Sequence, residues 1–172
     1  MGEGAKLKLK SFYIALALIG LSLLFVSSFG VFGIYINLSP SLPVGLYKKA
    51  TPLPLQNARG GVVMLKKDSI PSSKKYAGNR PLIKRIIGVP GDVFEYDNLS
   101  KALYVNNTAV LNSEIFITDG HGDELPQPSF PITVPEGHVW LGSDINYGFD
   151  SRYFGTVPMT SINSFMKLIY SF

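Results

Sequence analysis

The sequence predicts a mainly β domain preceded by one N-terminal transmembrane helix. Three observations carry that prediction. An uncharged apolar segment lies near the N-terminus, short β-branched runs punctuated by Pro, Gly and Asn follow it, and no convincing helical apolar period appears beyond residue 36. A chain of 172 residues that is 46% hydrophobic suits one compact domain plus a local apolar element that raises the average.

From Phe12 to Ile36 the chain reads FYIALALIGLSLLFVSSFGVFGIYI, with no charge. A helix needs roughly 20 such residues to cross the hydrocarbon core. Lys6, Lys8 and Lys10 stand just ahead of the segment and favour a cytoplasmic N-terminus. The expected organisation is a short cytoplasmic stretch at 1–11, an anchor at 12–36 and an extracytoplasmic domain at 37–172. The alternative is a cleavable secretory signal, but the apolar stretch exceeds the usual core of about 7–15 residues, and no clean small-x-small site follows it.

Beyond the anchor, the expected strands are Gly61 to Leu65, Leu82 to Gly88, Asp92 to Tyr96, Ala102 to Val105, Thr108 to Leu111, Glu114 to Thr118 and His138 to Leu141. Asn106-Asn107 fits a tight hairpin turn, because Asn tolerates positive φ. Thr118 to Pro135 holds Gly120, Gly122, Pro126, Pro128 and Pro131, too many breakers for regular structure, and is expected to be an exposed loop. It belongs to an expected inserted hairpin and loop unit at 93–137.

Composition removes several function classes. With no cysteine there is no disulfide framework, thiolate zinc site or cysteine nucleophile. The net charge of +4 includes the lysines ahead of the anchor, and the other cations are scattered among acids, so nucleic acid is not an expected partner. The pairs Lys48-Lys49, Lys66-Lys67 and Lys74-Lys75 suit solvated surface, with anionic lipid headgroups as the functional alternative. No cofactor or metal is expected: Asp119, His121, Asp123 and Glu124 match no zinc or calcium spacing.

Two residues stand out chemically. Lys84 lies in a strand whose alternation places Leu82 and Ile86 on its face. Burial there disfavours the ammonium form and lowers the pKa, giving a lysine able to act as a general base, whereas neighbouring Arg85 stays charged. The competing reading is a lysine snorkelling from an edge strand. Ser41 sits between Pro40 and Pro43, with Gly45 beyond. The prolines restrict its backbone and the glycine allows a conformation that other residues resist, so a fixed hydroxyl is expected. The plain alternative is a turn leading from helix to domain.

Three elements occur in order: Ser39-Pro40-Ser41-Leu42-Pro43-Val44-Gly45-Leu46-Tyr47, then Lys84-Arg85-Ile86-Ile87-Gly88-Val89-Pro90-Gly91-Asp92, then Gly142-Ser143-Asp144-Ile145-Asn146-Tyr147-Gly148-Phe149-Asp150-Ser151-Arg152-Tyr153-Phe154-Gly155. Together they resemble the type I signal peptidases over almost the whole chain after the anchor, and Ser-Leu-Pro-Val-Gly-Leu-Tyr resembles the conjugative-transfer, TraF-like branch. The resemblance implies a signal-peptidase-like β-sheet or barrel catalytic domain on the outer side of a bacterial inner membrane. It implies Ser41 as nucleophile, Lys84 as general base, Asp150 and Arg152 as an ion pair supporting the site wall, and Ser39 as a hydroxyl assisting the oxyanion.

The sequence departs from the family at three places. Pro40 replaces a small residue, Ser143 stands in the usual Gly-Asp-Asn, and Gly148 occupies the position of a serine that orients the lysine, with water or Ser143 as possible substitutes. A Ser-His-Asp triad would need His121 or His138, and no nucleophile elbow accompanies either. Of Trp140, Tyr147, Tyr153 and Phe154, which flank the third element, most are expected as core or floor residues rather than ligands.

The expected function is a membrane-anchored Ser-Lys endopeptidase that removes leader peptides from exported precursors, with a pilin or other conjugative-transfer component as client. The alternatives are a housekeeping signal peptidase with broad clients and a non-catalytic scaffold of a secretion or pilus assembly.

Overall fold

A computed structural model describes residues 3–77 and 81–172, with side chains for all of these but 3–7, 24–31, 73–74 and 77. Met1–Tyr35 and Ile36–Phe172 are two compact units. The first is built on helix α1 (Glu3–Val31). The helix starts earlier and ends sooner than the predicted 12–36 span: the chain turns at Gly33, with φ 67°, and Ile34 to Asn37 is extended. The side chains of 24–31, within the apolar segment, lie outside the described residues. Among the described residues no helix is long and apolar enough to cross a membrane.

The strands are β1 (Ile34–Asn37), β2 (Gly45–Ala50) and β3 (Val62–Leu65), then, after the short helix α2 (Lys74–Ala77), β4 (Ile83–Gly88), β5 (Val93–Asp97), β6 (Ala102–Val105), β7 (Thr108–Ala109), β8 (Ile132–Thr133) and β9 (His138–Gly142). Helix α3 (Ser151–Phe154), β10 (Val157–Pro158) and β11 (Ile162–Ser171) complete the chain. One sheet has the order β1-β2-β11-β3-β4-β9-β10 and the other β7-β6-β5-β8. The prediction of a mainly β chain holds, with antiparallel pairing in both sheets.

The hairpin between β6 and β7 turns on Asn106 and Asn107, with φ of 49° and 63° and Val105 opposite Thr108, as the two asparagines predict. Glu114 to Thr118 is not a strand. Its backbone is taken by side chains instead: Glu114 N–H donates to Asn146 Oδ1, Ile115 N–H to Tyr96 OH and Phe116 N–H to Tyr153 OH.

The long strand β11 was not predicted. It lies between β2 and β3, and its register shifts between Ile162 and Ser164 and again between Leu168 and Tyr170. Such bulges erase the two-residue period.

Val63 and Leu65 of β3, Ile86 of β4, Val139 and Leu141 of β9, and Phe165 of β11 form a buried core. Fully burying a side chain of this size stabilises by about 1.5–3 kcal/mol, and β4 is held inside the sheet between β3 and β9. A second core joins Phe94, Leu103, Val134 and Trp140, with Phe94 stacked on Trp140 at 4.4 Å. The turn after β4 serves this packing: buried Asp92 accepts from Val89 N–H, Arg59 and Asn106 Nδ2, tying β4 to the hairpin sheet.

Candidate active site

The loop between β1 and β2 carries Ser41 and is held by its own side chains. Asn37 Oδ1 accepts from Ser39 N–H at 3.1 Å, and its Nδ2 donates to the carbonyls of Ser39, Leu42 and Pro43. Tyr47, buried on β2, donates its hydroxyl to Pro43 O at 2.9 Å. Burial raises the Tyr47 pKa, against the neighbouring Arg85 charge, so the phenol stays a donor.

Gly45 contributes differently from the expectation. Its backbone is extended, and a Cβ there would lie 2.1 Å from the Tyr170 carbonyl oxygen. The close approach of β11 therefore requires the glycine.

Ser41 is buried, and its Oγ lies 3.0 Å from Ser39 Oγ, which also accepts weakly from Ser41 N–H at 3.4 Å. Ser39 thus touches both the hydroxyl and the amide of Ser41. Across the site, Asp144 N–H donates to Ser41 O at 2.7 Å, fastening the loop to the chain just after β9.

Lys84 comes from β4, paired with β3 on one side and β9 on the other, so it is not on an edge. Only 3% of its surface is exposed. Burial lowers its pKa from 10.5 to about 8; the Arg152 charge acts in the same direction, and Asp150 and Asp144 oppose it. This is the environment the strand pattern predicts. Its Nζ donates to Ser143 Oγ at 2.9 Å. Ser41 and Lys84 line one cavity of about 410 Å³ with Ser39 and Gly148. In this state each bonds a neighbouring serine rather than the other.

Arg85, on the opposite face of β4, grips Asp144 through Nε and Nη2 at 2.8 and 2.7 Å. The bond to Asp144 holds the guanidinium protonated, and the pair fixes the segment that carries Ser143.

The Ser143 and Gly148 departures compensate for each other. A Cβ on Gly148 would lie 2.0 Å from Ser143 Oγ and 2.3 Å from Ser143 Cβ. Ser143 therefore occupies the space of a side chain at 148 and delivers its hydroxyl to the same lysine. Two results follow. Ser143→Ala should lower kcat about tenfold, the value of one lost orienting hydrogen bond. Gly148→Ala should cost about 1–3 kcal/mol of stability through overpacking, and adding Ser143→Gly should recover it; urea unfolding and kcat report the two quantities.

Asp150 caps α3 and pairs with Arg152 in full burial: Oδ1 accepts from Arg152 Nε at 2.8 Å and Oδ2 from Nη2 at 2.8 Å. Arg152 Nη1 also donates to the carbonyls of Asn112, Glu114 and Asn146, and Nη2 to those of Ile145 and Gly148. The pair forms the frame behind the Ser143–Gly148 segment.

The acids of the 118–124 loop are engaged by charge: Lys75 Nζ bonds Asp119 at 2.7 Å and Asp123 at 2.6 Å. Among the described residues no cluster of His, Asp and Glu has the arrangement of a metal site.

Residues 7–171 match the family described as signal peptidase, peptidase S26. The chain belongs to that family. It is 30% identical, over 81% of its length and 84% of that protein's, to the conjugal transfer protein TraF of Agrobacterium tumefaciens. It is 32% identical to the mitochondrial inner membrane protease subunit 1 of Saccharomyces cerevisiae, over 61% of this chain and 49% of that one. A crystal structure of a signal peptidase I from Enterococcus faecalis aligns with 70% of this chain and 100% of its own, at 24% identity and a TM-score of 0.40. The resemblance read from the three elements is thus a family relationship.

Asn37, Tyr47 and Asp144 were not singled out in the sequence. Asn37 looks like any loop asparagine, and Asp144 gains meaning only when folding brings Arg85 beside it.

Proposed function

We propose that this signal peptidase family member is a membrane-anchored serine endopeptidase that removes leader peptides from exported precursors of a conjugative-transfer apparatus, with a pilin precursor as the favoured client. The observation that carries the reading is a buried lysine with a pKa near 8 in the cavity that also holds Ser41.

Neutral Lys84 takes the Ser41 proton while Oγ attacks the scissile carbonyl carbon. The negative oxygen is met by Ser41 N–H and the Ser39 hydroxyl. Lys84 returns the proton to the leaving amine, giving an acyl-enzyme; it then takes a proton from the attacking water and passes it to Ser41 Oγ as the ester bond breaks and the acid leaves. The resting bond between Ser39 and Ser41 breaks as substrate enters, since catalytic hydrogen bonds often form only in the complex.

The apolar segment at 12–36 is read as the anchor, with 1–11 in the cytoplasm of a bacterium, 37–172 outside the inner membrane, and 93–137 as an inserted unit. Its described apolar side chains between Phe12 and Leu23 are mostly exposed, as suits a lipid environment. The conjugal transfer relative supports the client, and the protease relative supports the chemistry.

Two outcomes separate this reading from a broad housekeeping enzyme. The protein should process a co-expressed pilin precursor and fail to rescue cells depleted of their own leader peptidase. Rescue of those cells would favour the broad enzyme. A strain in which Ser41→Ala retains conjugation would favour a scaffold.

A further inference from the structure

Past Gly148 the catalytic cavity continues into a second cleft of about 340 Å³. Tyr76, Tyr147, Gly148 and Phe149 line both, and Phe116, Leu125 and Tyr153 add to the second alone. The rings are ordered: Tyr76 stacks on Phe149 at 4.2 Å, Phe149 lies parallel to Tyr153 at 5.5 Å, and Phe116 stacks on Tyr147 at 5.3 Å.

Tyr147 is the exception to the expectation that most aromatic residues at the third element are core or floor. Trp140 and Tyr153 are buried, but Tyr147 is 84% exposed. A concave apolar site with an exposed ring at its edge is the kind of surface that receives an apolar group.

The walls are held in place without a ligand. Lys75 ties the helix carrying Tyr76 to the turn carrying Asp119 and Asp123. That turn is closed by Asp119 N–H donating to Asp123 O and Leu125 N–H to Ile117 O, each at 2.8 Å. Phe116 N–H donates to Tyr153 OH at 3.2 Å.

The cleft lies on the side of the general base. Lys84 bonds Ser143, Ser143 packs against Gly148, and Gly148 lines the cleft. A base that takes the nucleophile's proton hands it to the leaving amine, so the departing amine sits on the Lys84 side of the site, the side on which this cleft opens.

We propose that the aromatic cleft is a subsite for an apolar side chain of the substrate on the C-terminal side of the cleaved bond, among the first few residues of the released mature protein. The proposal rests on the peptidase reading above and adds a specificity to it.

The test uses peptides identical up to the scissile bond, carrying Leu, Phe, Gly or Asp in turn at each of the first few positions after it. They are given to the detergent-solubilised full chain, to Gly120→Phe and to Leu125→Ala. Gly120 lines the cleft, is free of left-handed backbone, and has open space where a side chain would go. Phenylalanine there is chosen to fill the cleft, and Gly120 is not among the residues lining the cavity of Ser41 and Lys84.

The wild type should prefer Leu or Phe over Asp at one position by at least about tenfold in kcat/KM, the usual scale for one apolar pocket. Gly120→Phe should erase that preference while cleaving the Gly peptide at the wild-type rate, and Leu125→Ala, which widens the cleft, should move the preference from Leu toward Phe. Cleavage with no such preference, or with one that both variants leave untouched, overturns the proposal and leaves the peptidase reading intact. Cleavage of no peptide at all overturns both.

Discussion

Replacing Lys84 with methionine should abolish peptide cleavage, by about ten-thousand-fold for loss of a general base, and at the same time make the protein more stable at pH 7. The two effects have one cause. The folded site releases the Lys84 proton near pH 8, whereas an ordinary lysine holds it to 10.5. That gap amounts to a burial penalty on the order of 3 kcal/mol at pH 7, where the lysine must be charged or give up its proton. Methionine removes the penalty and loses the bond to Ser143, worth about 1 kcal/mol, leaving a net gain of about 2 kcal/mol.

The sign of the pH dependence follows from proton binding. Between about pH 8 and 10.5 the unfolded chain holds the Lys84 proton and the folded chain does not, so wild-type stability rises across that window relative to Lys84→Met. Below about pH 8 this group gives no slope. Urea unfolding of the two proteins at pH 7, 9 and 10.5 measures both the gap and its closure.

The second large effect is expected at Arg152. Arg152→Met should cost about 3–5 kcal/mol, because it strands the buried Asp150 carboxylate without its partner. A domain is typically stable by only about 5–15 kcal/mol, so the variant should lose a large share of its stability. Five carbonyl oxygens lose a donor in the same step. Adding Asp150→Asn removes the stranded charge and should recover part of the loss. The double variant would then be less destabilised than the sum of the singles, which a double-mutant cycle in urea reads directly.

Much of the fold was legible because local chemistry and tertiary structure agree. The Asn106-Asn107 turn, the strands on either side of it and the strand carrying Lys84 each follow from a pattern within a few residues. β11 was not legible because two register shifts break its alternation while it is stitched to strands on both sides. Glu114 to Thr118 looks like a strand, yet Asn146, Tyr96 and Tyr153 take the N–H groups that a neighbouring strand would have used.

The site divides the same way. Ser41 and Lys84 were visible from prolines, alternation and family elements, and the fold brings both to one cavity. The exchange between positions 143 and 148 was visible only as a pair of departures. Its logic is steric and appears once Ser143 Oγ is seen in the space a side chain at 148 would need.

The measurement that tests the account most directly is cleavage of a pilin-type precursor by solubilised wild type, Ser41→Ala and Lys84→Ala across pH 6 to 10, with the products weighed by mass spectrometry. The account predicts one cut after a small residue, at a rate that rises about tenfold per pH unit below about pH 8 and levels above it as Lys84 deprotonates, and no cut in either variant. Cleavage persisting in both variants, or a wild-type rate flat across that range, would contradict it.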